Sequence, residues 1–477
     1  MIPTLMENSY SKKYSVNLVH VTLLMGLCFI LYFFNLGRWE LWKPDEPRYA
    51  QVAREMVSGG DWILMHLNGR IYEDKPPLFF WAIAFSSFLW QGFTPFSVRF
   101  PSAVFGTLTV LLTFLMGKRL YDSRTGFLSG LILATSVEAA YLSIRANIDA
   151  TLTFFTTASI FCFLCWYQGK KEERSTRIWG LSIYGFYVAM GLATLTKGPV
   201  GFLLPLFVSL IYLLIQKDWE GLKRMKLLPG MLLMIAIVLA WYLPAAWRGG
   251  QDYLNATLFK HTIDRYSSGW THEKPIYFYL ASFPVDFLPW SLFLPGAIAY
   301  GYARETVGKR KDFLVLLTWF LVIFLFFSFS KGKRNLYILP LYPAAALMVG
   351  KLWGDCVFKR MEQFRRAWIS WPLFGFVGLV LLIGAAVIWV VPIRFPSYAS
   401  ILLPVAVLMV GGSAGLIFLS AFRRYGVVFF LFVGMITGGF FYAQHSIFPV
   451  DTQFKSIRSI FQEMKKEVGS GSLFRGK

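Results

Sequence analysis

The feature that most constrains this chain is a series of apolar runs, each about 20 residues long, that recurs along almost the whole sequence. A helix of that length crosses the roughly 30 Å hydrocarbon core of a bilayer. Because lipid offers the backbone no hydrogen-bond partners, a spanning segment must be a helix or part of a closed barrel. The runs are continuous in Leu, Phe and Val rather than alternating, which favours helices. The sequence therefore predicts an all-α polytopic membrane protein.

The positions of Lys and Arg predict the orientation of about thirteen spans in the membrane. If the N-terminus is cytoplasmic, every second loop is cytoplasmic as well, and these loops carry most of the basic residues. Examples are Lys118 and Arg119 in one such loop and Lys223 and Arg224 in another. Cytoplasmic loops of membrane proteins are enriched in Lys and Arg, so we predict a cytoplasmic N-terminus.

The formal net charge of +21 does not indicate nucleic acid as a partner. Only 15% of the residues are charged, against 56% that are hydrophobic, and the cations lie between apolar runs instead of on one basic face. Three of the four cysteines fall inside apolar runs, which argues against a disulfide framework. Composition therefore points to membrane lipids as the surroundings of the chain.

The predicted spans form one domain with two long loops on the outer side. We place this domain at residues 1–447, its long loops at 37–96 and 248–285, and a short C-terminal tail at 448–477.

The first long loop contains two predicted helices. One has Asp45 as its N-cap and stops at Gly59 and Gly60, and its apolar residues share one face. We expect this amphipathic helix to lie on the membrane surface. The apolar stretch from Leu78 to Trp90 is too short to span, so we expect a second interfacial helix.

The charged residues of the outer side fall into clusters that could carry chemistry. Asp149 stands at the outer end of a span, where a carboxylate facing lipid costs about 2.5–3.5 kcal/mol. It should therefore face a polar cavity or a partner such as Arg145. The candidate residues are Asp45, Glu46, Arg48 and Tyr49; Tyr72, Asp74 and Lys75; Asp149; Lys197; and Lys331, Lys333, Arg334 and Tyr337.

Each cluster also has a simpler interpretation. Asp45 and Arg48 could form a helix cap with a surface ion pair, the segment around Lys75 could be a solvated turn, and Lys331 could anchor the chain at the interface. Carboxylates and His261 could together hold a divalent cation, which is the one cofactor that the residues suggest.

Considered together, cations and carboxylates beside lipid suit a substrate with an anionic head and a hydrophobic tail. Cations stabilise a departing phosphate, and a carboxylate can orient or deprotonate an incoming nucleophile. The sequence thus favours group transfer at the outer face of the membrane.

Four segments resemble the GT-C membrane glycosyltransferases, in the branch of the aminoarabinose transferases and relatives of the protein O-mannosyltransferases. They are DEPRYAQVAREM from Asp45, GDWILMHLNGRIYEDKPPLFFW from Gly60, the loop before Asp149, and KGKRNLYILPLYPAAAL from Lys331. The resemblance implies a polyprenyl-phosphate sugar as donor and transfer that usually inverts the sugar.

The resemblance also implies roles for single residues. Asp45 and Asp149 match the essential carboxylates, and Asp74 matches an acidic residue that can hold a metal. The residues that match positions near the carrier phosphate are Tyr72, Lys75, Arg265 and Tyr337. The stretch before Arg265 differs from the family pattern, and the large C-terminal soluble domain is nearly absent, so acceptor recognition should differ.

We therefore predict transfer of a sugar from a polyprenyl-phosphate carrier to a lipid, such as lipid A, or to another cell-surface glycan acceptor. The predicted location is the outer face of a bacterial inner membrane. The alternatives are a transporter or flippase of lipid-linked sugars, which would share the many spans, and a non-catalytic membrane scaffold.

Overall fold

The computed structural model describes residues 16–171, 177–257, 273–303, 307–358 and 363–455. The described chain is built of helices, with one two-stranded antiparallel hairpin of β1 (His66–Leu67) and β2 (Arg70–Ile71). The helices up to residue 255 are α1 (Val16–Phe33), α2 (Asp45–Gly59), α3 (Leu78–Leu89), α4 (Pro95–Leu120), α5 (Ser123–Ala134), α6 (Val137–Ser143), α7 (Ile148–Lys171), α8 (Arg177–Lys197), α9 (Val200–Ile215), α10 (Trp219–Arg224) and α11 (Leu227–Asn255).

The remaining helices follow the second long loop. They are α12 (Phe278–Asp286), α13 (Leu294–Ala303), α14 (Val307–Phe329), α15 (Tyr342–Phe358), α16 (Gln363–Arg394), α17 (Pro396–Ala421), α18 (Tyr425–Tyr442) and α19 (Phe448–Lys455). Short 3-10 helices occupy Trp290–Phe293 and Asn335–Leu341.

Nine helical segments of the described chain are long and apolar enough to cross a membrane. A tenth span results if α5 and α6, which are bent by 70°, are one span. The all-α polytopic fold is confirmed, but the clear spans are fewer than the predicted thirteen or so. The other predicted spans fall on α8, on the 16-residue α9, and on a segment that prolines break into α12, a 3-10 helix and α13.

The apolar face of α2 is covered by protein, which corrects the prediction that this helix lies on the membrane surface. Val52 and Ala53 are fully buried, and the ring of Tyr49 packs edge-on against Phe79 and Phe80 of α3. An apolar stripe on a helix has the same sequence pattern whether lipid or protein covers it.

The opposite face of α3 remains open. Phe85, Phe88 and Leu89 are 71%, 58% and 56% exposed, which suits contact with lipid at the membrane surface. The prediction of a short apolar helix here is confirmed, because α3 is too short to span.

Several predicted boundaries shift. Asp45 is the first residue of α2 and does not cap it; Pro44 holds the N-cap position, and no side chain caps this helix. At the other end Gly60 adopts a φ of 70°, as expected for a glycine that stops a helix.

Parts of the predicted second loop and of the predicted tail are helical. Helix α11 continues through a kink at Gly250 to Asn255, so the start of the predicted loop at 248–285 is helical. Helix α19 begins at Phe448, so residues 448–455 of the predicted tail are helical. The indole of Trp42 donates a hydrogen bond to Thr452, so the start of the predicted tail packs on the first outer loop.

Small residues allow α4, α5 and α15 to pack closely. A Cβ atom on Gly117 of α4 would meet the Cα of Gly126 of α5 at 2.6 Å, and one on Gly350 of α15 would meet Ser129. Helices in membranes associate largely through such close packing. These three helices form a closely packed centre of the bundle, in which almost all of α15 is buried.

A buried ion pair lies at one end of this centre. Lys351 donates to both carboxylate oxygens of Asp355 at 2.7 Å, and the hydroxyl of Tyr300 donates to the same carboxylate at 2.7 Å. Both members of the pair are nearly inaccessible to solvent. Each charge therefore depends on the other.

Replacing Asp355 by Ala should destabilise the protein by about 3–5 kcal/mol, because it leaves the charge of Lys351 buried without its carboxylate. The measurement is thermal unfolding in detergent. The matched control is Glu220→Ala, which removes the exposed pair with Arg224 and should cost about 1 kcal/mol or less. Equal melting temperatures for the two variants would contradict this account.

Candidate functional site

The carboxylate of Asp45 lies between two guanidinium groups. Its Oδ1 accepts a hydrogen bond from Arg48 at 2.6 Å, and its Oδ2 accepts one from Arg334 at 2.8 Å. Burial raises the pKa of Asp45, but Arg334, Arg48 and Arg145 together lower it by more than burial raises it, so this pKa lies below its ordinary value. Asp45 is therefore ionised at neutral pH.

The side chain of Glu46 is fully buried. It accepts hydrogen bonds from the backbone N–H of Trp42 at 2.7 Å and of Ala146 at 2.8 Å. The guanidinium of Arg99 donates to both of its oxygens, at 2.8 and 2.9 Å. Burial raises the pKa of Glu46, yet Arg99 and Arg145 bring it below its ordinary value. This placement favours a positioning role over the predicted catalytic role.

Arg99 is a residue that the sequence reasoning missed. It lies in the first turns of α4, has no exposed side-chain surface, and donates to three carbonyl oxygens of the loop before α2. The acceptors are the carbonyls of Leu36, Trp39 and Glu40, at 3.0, 2.8 and 2.7 Å. The available signal was a single cation inside an apolar run, which needs a partner.

Asp149 lies in the first turn of α7 and forms an ion pair with Lys197, the last residue of α8. The ammonium group of Lys197 also lies 4.1 Å from the centre of the Tyr337 ring. Gly198 follows with a φ of 75° and turns the chain into α9.

Arg145 is not the partner of Asp149. Its guanidinium donates to the hydroxyl of Tyr141 at 2.7 Å and to the carbonyl of Trp42 at 3.3 Å, and it lies 3.8 Å from Glu46. Arg145 therefore belongs with the network around Glu46.

These elements enclose a cavity of about 660 Å³. One part of its wall is charged and the other is apolar. The charged residues that line it are Arg48, Glu73, Asp74, Lys75, Asp149, Lys197 and Arg334. The apolar wall includes Leu203, Met231, Met234, Ile235, Val238, Leu239, Phe326 and Phe327. Such a cavity suits a molecule with an anionic head and a long apolar chain.

The comparisons agree with this geometry. A family model of the dolichyl-phosphate-mannose-protein mannosyltransferases matches residues 17–260. The chain is 32% identical, over 78% of its length and 67% of the other, to an undecaprenyl phosphate-alpha-4-amino-4-deoxy-L-arabinose arabinosyl transferase of Proteus mirabilis. The chain belongs to this family of GT-C membrane glycosyltransferases, in the aminoarabinose transferase branch.

Two further comparisons define how far the similarity extends. A relative of the same description from Pseudomonas fluorescens is 33% identical over 76% of this chain and 64% of its own. The chain thus spans about two thirds of the length of these curated relatives. The crystal structure of ArnT from Cupriavidus metallidurans bound to undecaprenyl phosphate has a TM-score of 0.77 at 24% identity, over 90% of this chain and 77% of that one, and it confirms the fold.

The cavity brings together most of the residues that the sequence singles out. Those that line it are Arg48, Tyr49, Asp74, Lys75, Asp149, Lys197, Arg334 and Tyr337. Asp45 contacts the cavity through its two arginine partners. Tyr72 does not line the cavity, and its hydroxyl donates a hydrogen bond at 3.5 Å to the carboxylate of Asp74, which does.

Lys333 and Lys331, which the sequence predicts as phosphate ligands, do not line the cavity. Lys333 is 4% exposed, and its ammonium group donates to the carbonyl of Lys274 at 3.0 Å and to that of Ser330. Lys331 is exposed. Lys333 therefore joins two loops, because two backbone carbonyls accept from its ammonium group.

The predicted metal site is only partly covered by the structure. Asp74 pairs with Lys75 at 3.1 Å and lies 4.0 Å from Arg48. In the described ranges no group of three or more His, Cys, Asp and Glu residues could hold a metal ion. His261 and the predicted phosphate ligand Arg265 lie outside the described residues.

We expect Glu46→Gln to lower the melting temperature in detergent. The single oxygen of the amide cannot accept all four hydrogen bonds that Glu46 accepts from Arg99 and from the backbone N–H groups of Trp42 and Ala146. Asp45→Asn should lower the melting temperature less, since its partners Arg48 and Arg334 are 35% and 30% exposed and can be hydrated when the ion pairs are lost. A larger loss of stability for Asp45→Asn than for Glu46→Gln would contradict the positioning role of Glu46.

Proposed function

We propose that this protein transfers a sugar from a polyprenyl-phosphate carrier to a hydroxyl group of a lipid acceptor. The supporting observation is the cavity in which Arg48, Lys197 and Arg334 meet a long apolar wall. The cations suit the carrier phosphate, and the wall suits the prenyl chain. The names of the relatives make undecaprenyl phosphate and 4-amino-4-deoxy-L-arabinose the first carrier and sugar to test.

In the proposed reaction the acceptor oxygen attacks the anomeric carbon of the sugar. The bond from that carbon to the phosphate oxygen breaks, and polyprenyl phosphate leaves with the electron pair. The hydroxyl proton passes to a carboxylate, for which we propose Asp45, while Asp149 orients a sugar or acceptor hydroxyl. Arg48, Lys197 and Arg334 stabilise the charge that develops on the leaving phosphate.

Binding of the donor would also activate the proposed base. Arg334 and Arg48 hold the pKa of Asp45 below its ordinary value, which makes it a weak base. A bound phosphate competes for the same guanidinium groups. As Asp45 loses their attraction its pKa rises, and it accepts a proton more readily.

The proposed acceptor is lipid A, as the family resemblance implies. The chain spans only part of its relatives, so acceptor identity is a separate question from the donor. Lipids that present a free hydroxyl beside a phosphate are the panel to compare.

We further propose a bacterial inner membrane, a cytoplasmic N-terminus and an active site on the outer face. The bias of Lys and Arg supports this orientation. Asp149, Lys197 and Arg334 all lie at helix ends that this orientation assigns to the outer face.

A thiol-labelling experiment tests the orientation. In a chain without its native cysteines, Arg70→Cys in the hairpin and Lys223→Cys in α10 place single thiols at exposed positions. A membrane-impermeant maleimide should label Arg70→Cys in intact cells and Lys223→Cys only after permeabilisation. The reverse pattern would overturn the orientation.

The transferase itself is tested by release of the carrier. Purified protein with a polyprenyl-phosphate sugar and an acceptor should form free polyprenyl phosphate. Asp45→Asn should reduce this release by at least about 100-fold, in the range of a general base. The matched control is Asp252→Asn, an exposed carboxylate outside the cavity wall, which should keep full activity.

Two results would count against the proposal. One is full release with Asp45→Asn. The other is passage of labelled lipid-linked sugar across vesicles with no bond cleavage, which would favour the flippase alternative.

A further inference from the structure

Helix α12 forms hydrogen bonds with Arg334 and the residue after it, although no residue of α12 lines the cavity. The hydroxyl of Tyr279 donates to the backbone carbonyl of Arg334 at 3.1 Å. Asp286 accepts a hydrogen bond at 3.0 Å from the side-chain amide of Asn335, the next residue. Both contacts therefore act on a single dipeptide at the edge of the site.

The spacing of the two gripping residues follows from helix geometry. Tyr279 and Asp286 are seven residues apart, which places them on the same face of α12, two turns from each other. Tyr279 is fully buried and Asp286 is 7% exposed. A single helix face thus presents one donor and one acceptor to the Arg334–Asn335 dipeptide.

The dipeptide needs such support because it lies outside regular structure. Arg334 has an extended backbone, with φ −136° and ψ 145°, between α14 and the 3-10 helix that begins at Asn335. Lys333 adds a further contact, to the carbonyl of Lys274 just before α12. The segment from 274 to 286 therefore contacts three successive residues, 333 to 335.

The choice of a carboxylate at position 286 is costly for packing alone. Its Oδ1 accepts from Asn335 and the hydroxyl of Ser282 lies beside the carboxylate, but no cation among the described residues forms an ion pair with it. Burying a carboxylate in this way costs free energy. An acceptor that holds Asn335 in one position is a function that offsets this cost.

We propose that α12 is a clamp for the phosphate-binding Arg334, and that Asp286 is the positioning residue of this clamp. The inference rests on the proposed function, because it assigns Arg334 to the carrier phosphate. While the partner of the guanidinium changes from Asp45 to phosphate, the clamp keeps its backbone in place. Loss of the clamp should weaken donor binding more than it slows the chemical step.

The test exchanges the two ends of the hydrogen bond. Asp286→Ala and Asn335→Ala each remove it, and Asn335→Asp sets two carboxylates against each other. The double variant Asp286→Asn with Asn335→Asp restores the bond with donor and acceptor exchanged. Tyr279→Phe removes the second contact, and Asp252→Ala is an exposed control outside the clamp.

We measure binding of polyprenyl phosphate to the purified full chain, KM and kcat for carrier release, and the melting temperature. Each Ala variant should raise the dissociation constant and KM about tenfold, with a much smaller change in kcat. Asn335→Asp should weaken binding most. The exchanged pair should recover most of the wild-type affinity, and Tyr279→Phe should show a smaller rise in KM.

The clamp is overturned if the double variant binds polyprenyl phosphate no better than Asn335→Asp does. It is overturned as well if the variants lose affinity only in proportion to their loss of melting temperature, with no change in the ratio of KM to kcat. It is also overturned if the Ala variants bind as wild type does. A wild-type chain that binds no polyprenyl phosphate and releases none would instead refute the proposed function, so the two failures are distinguishable.

Discussion

The ion pair between Glu46 and Arg99 is the interaction on which the arrangement of the site depends. Both side chains are fully buried, and a buried charge that loses its partner is strongly destabilising. Glu46 directly follows Asp45, and it also accepts from the backbone of Ala146, 100 residues away in sequence and three before Asp149. One carboxylate therefore ties the two proposed catalytic carboxylates to the same framework. This framework is made of protein groups alone.

Around that framework, the charges of the site are paired. Arg334 contacts Asp45, and Lys197 contacts Asp149. A phosphate that enters must therefore displace the carboxylates from Arg334 and Lys197. The free energy of binding is then the difference between the new contacts of the cations with phosphate and their former contacts with the carboxylates. Such exchange favours a ligand that presents several oxygen acceptors at once, because each released carboxylate needs compensation elsewhere.

The features that sequence patterns predicted correctly are local. The contact between Asp45 and Arg48 follows from their spacing on one helix, and the helix end at Gly60 follows from glycine's freedom at positive φ. The failures concern partners. Arg145 lies four residues before Asp149, but i,i+4 spacing brings side chains together only within one helix, and Arg145 lies in the break between α6 and α7.

Long-range pairs were out of reach for the same reason. Arg99 and Glu46, Lys197 and Asp149, and Asp286 and Asn335 meet only because separate elements pack together. No local pattern records which cation faces which carboxylate. The sequence did indicate that charges beside apolar runs need partners, and most of the candidate residues chosen on this basis line the cavity.

The same charges suit the proposed reaction as it proceeds. A sugar phosphodiester carries one negative charge, whereas the phosphate monoester left behind carries about −1.5 to −2 at pH 7. If Asp45 takes the acceptor proton, it becomes neutral and ceases to compete for Arg334 and Arg48. The cations thus become available as the second charge appears on the leaving group, so that one proton transfer serves both the nucleophile and the departing phosphate.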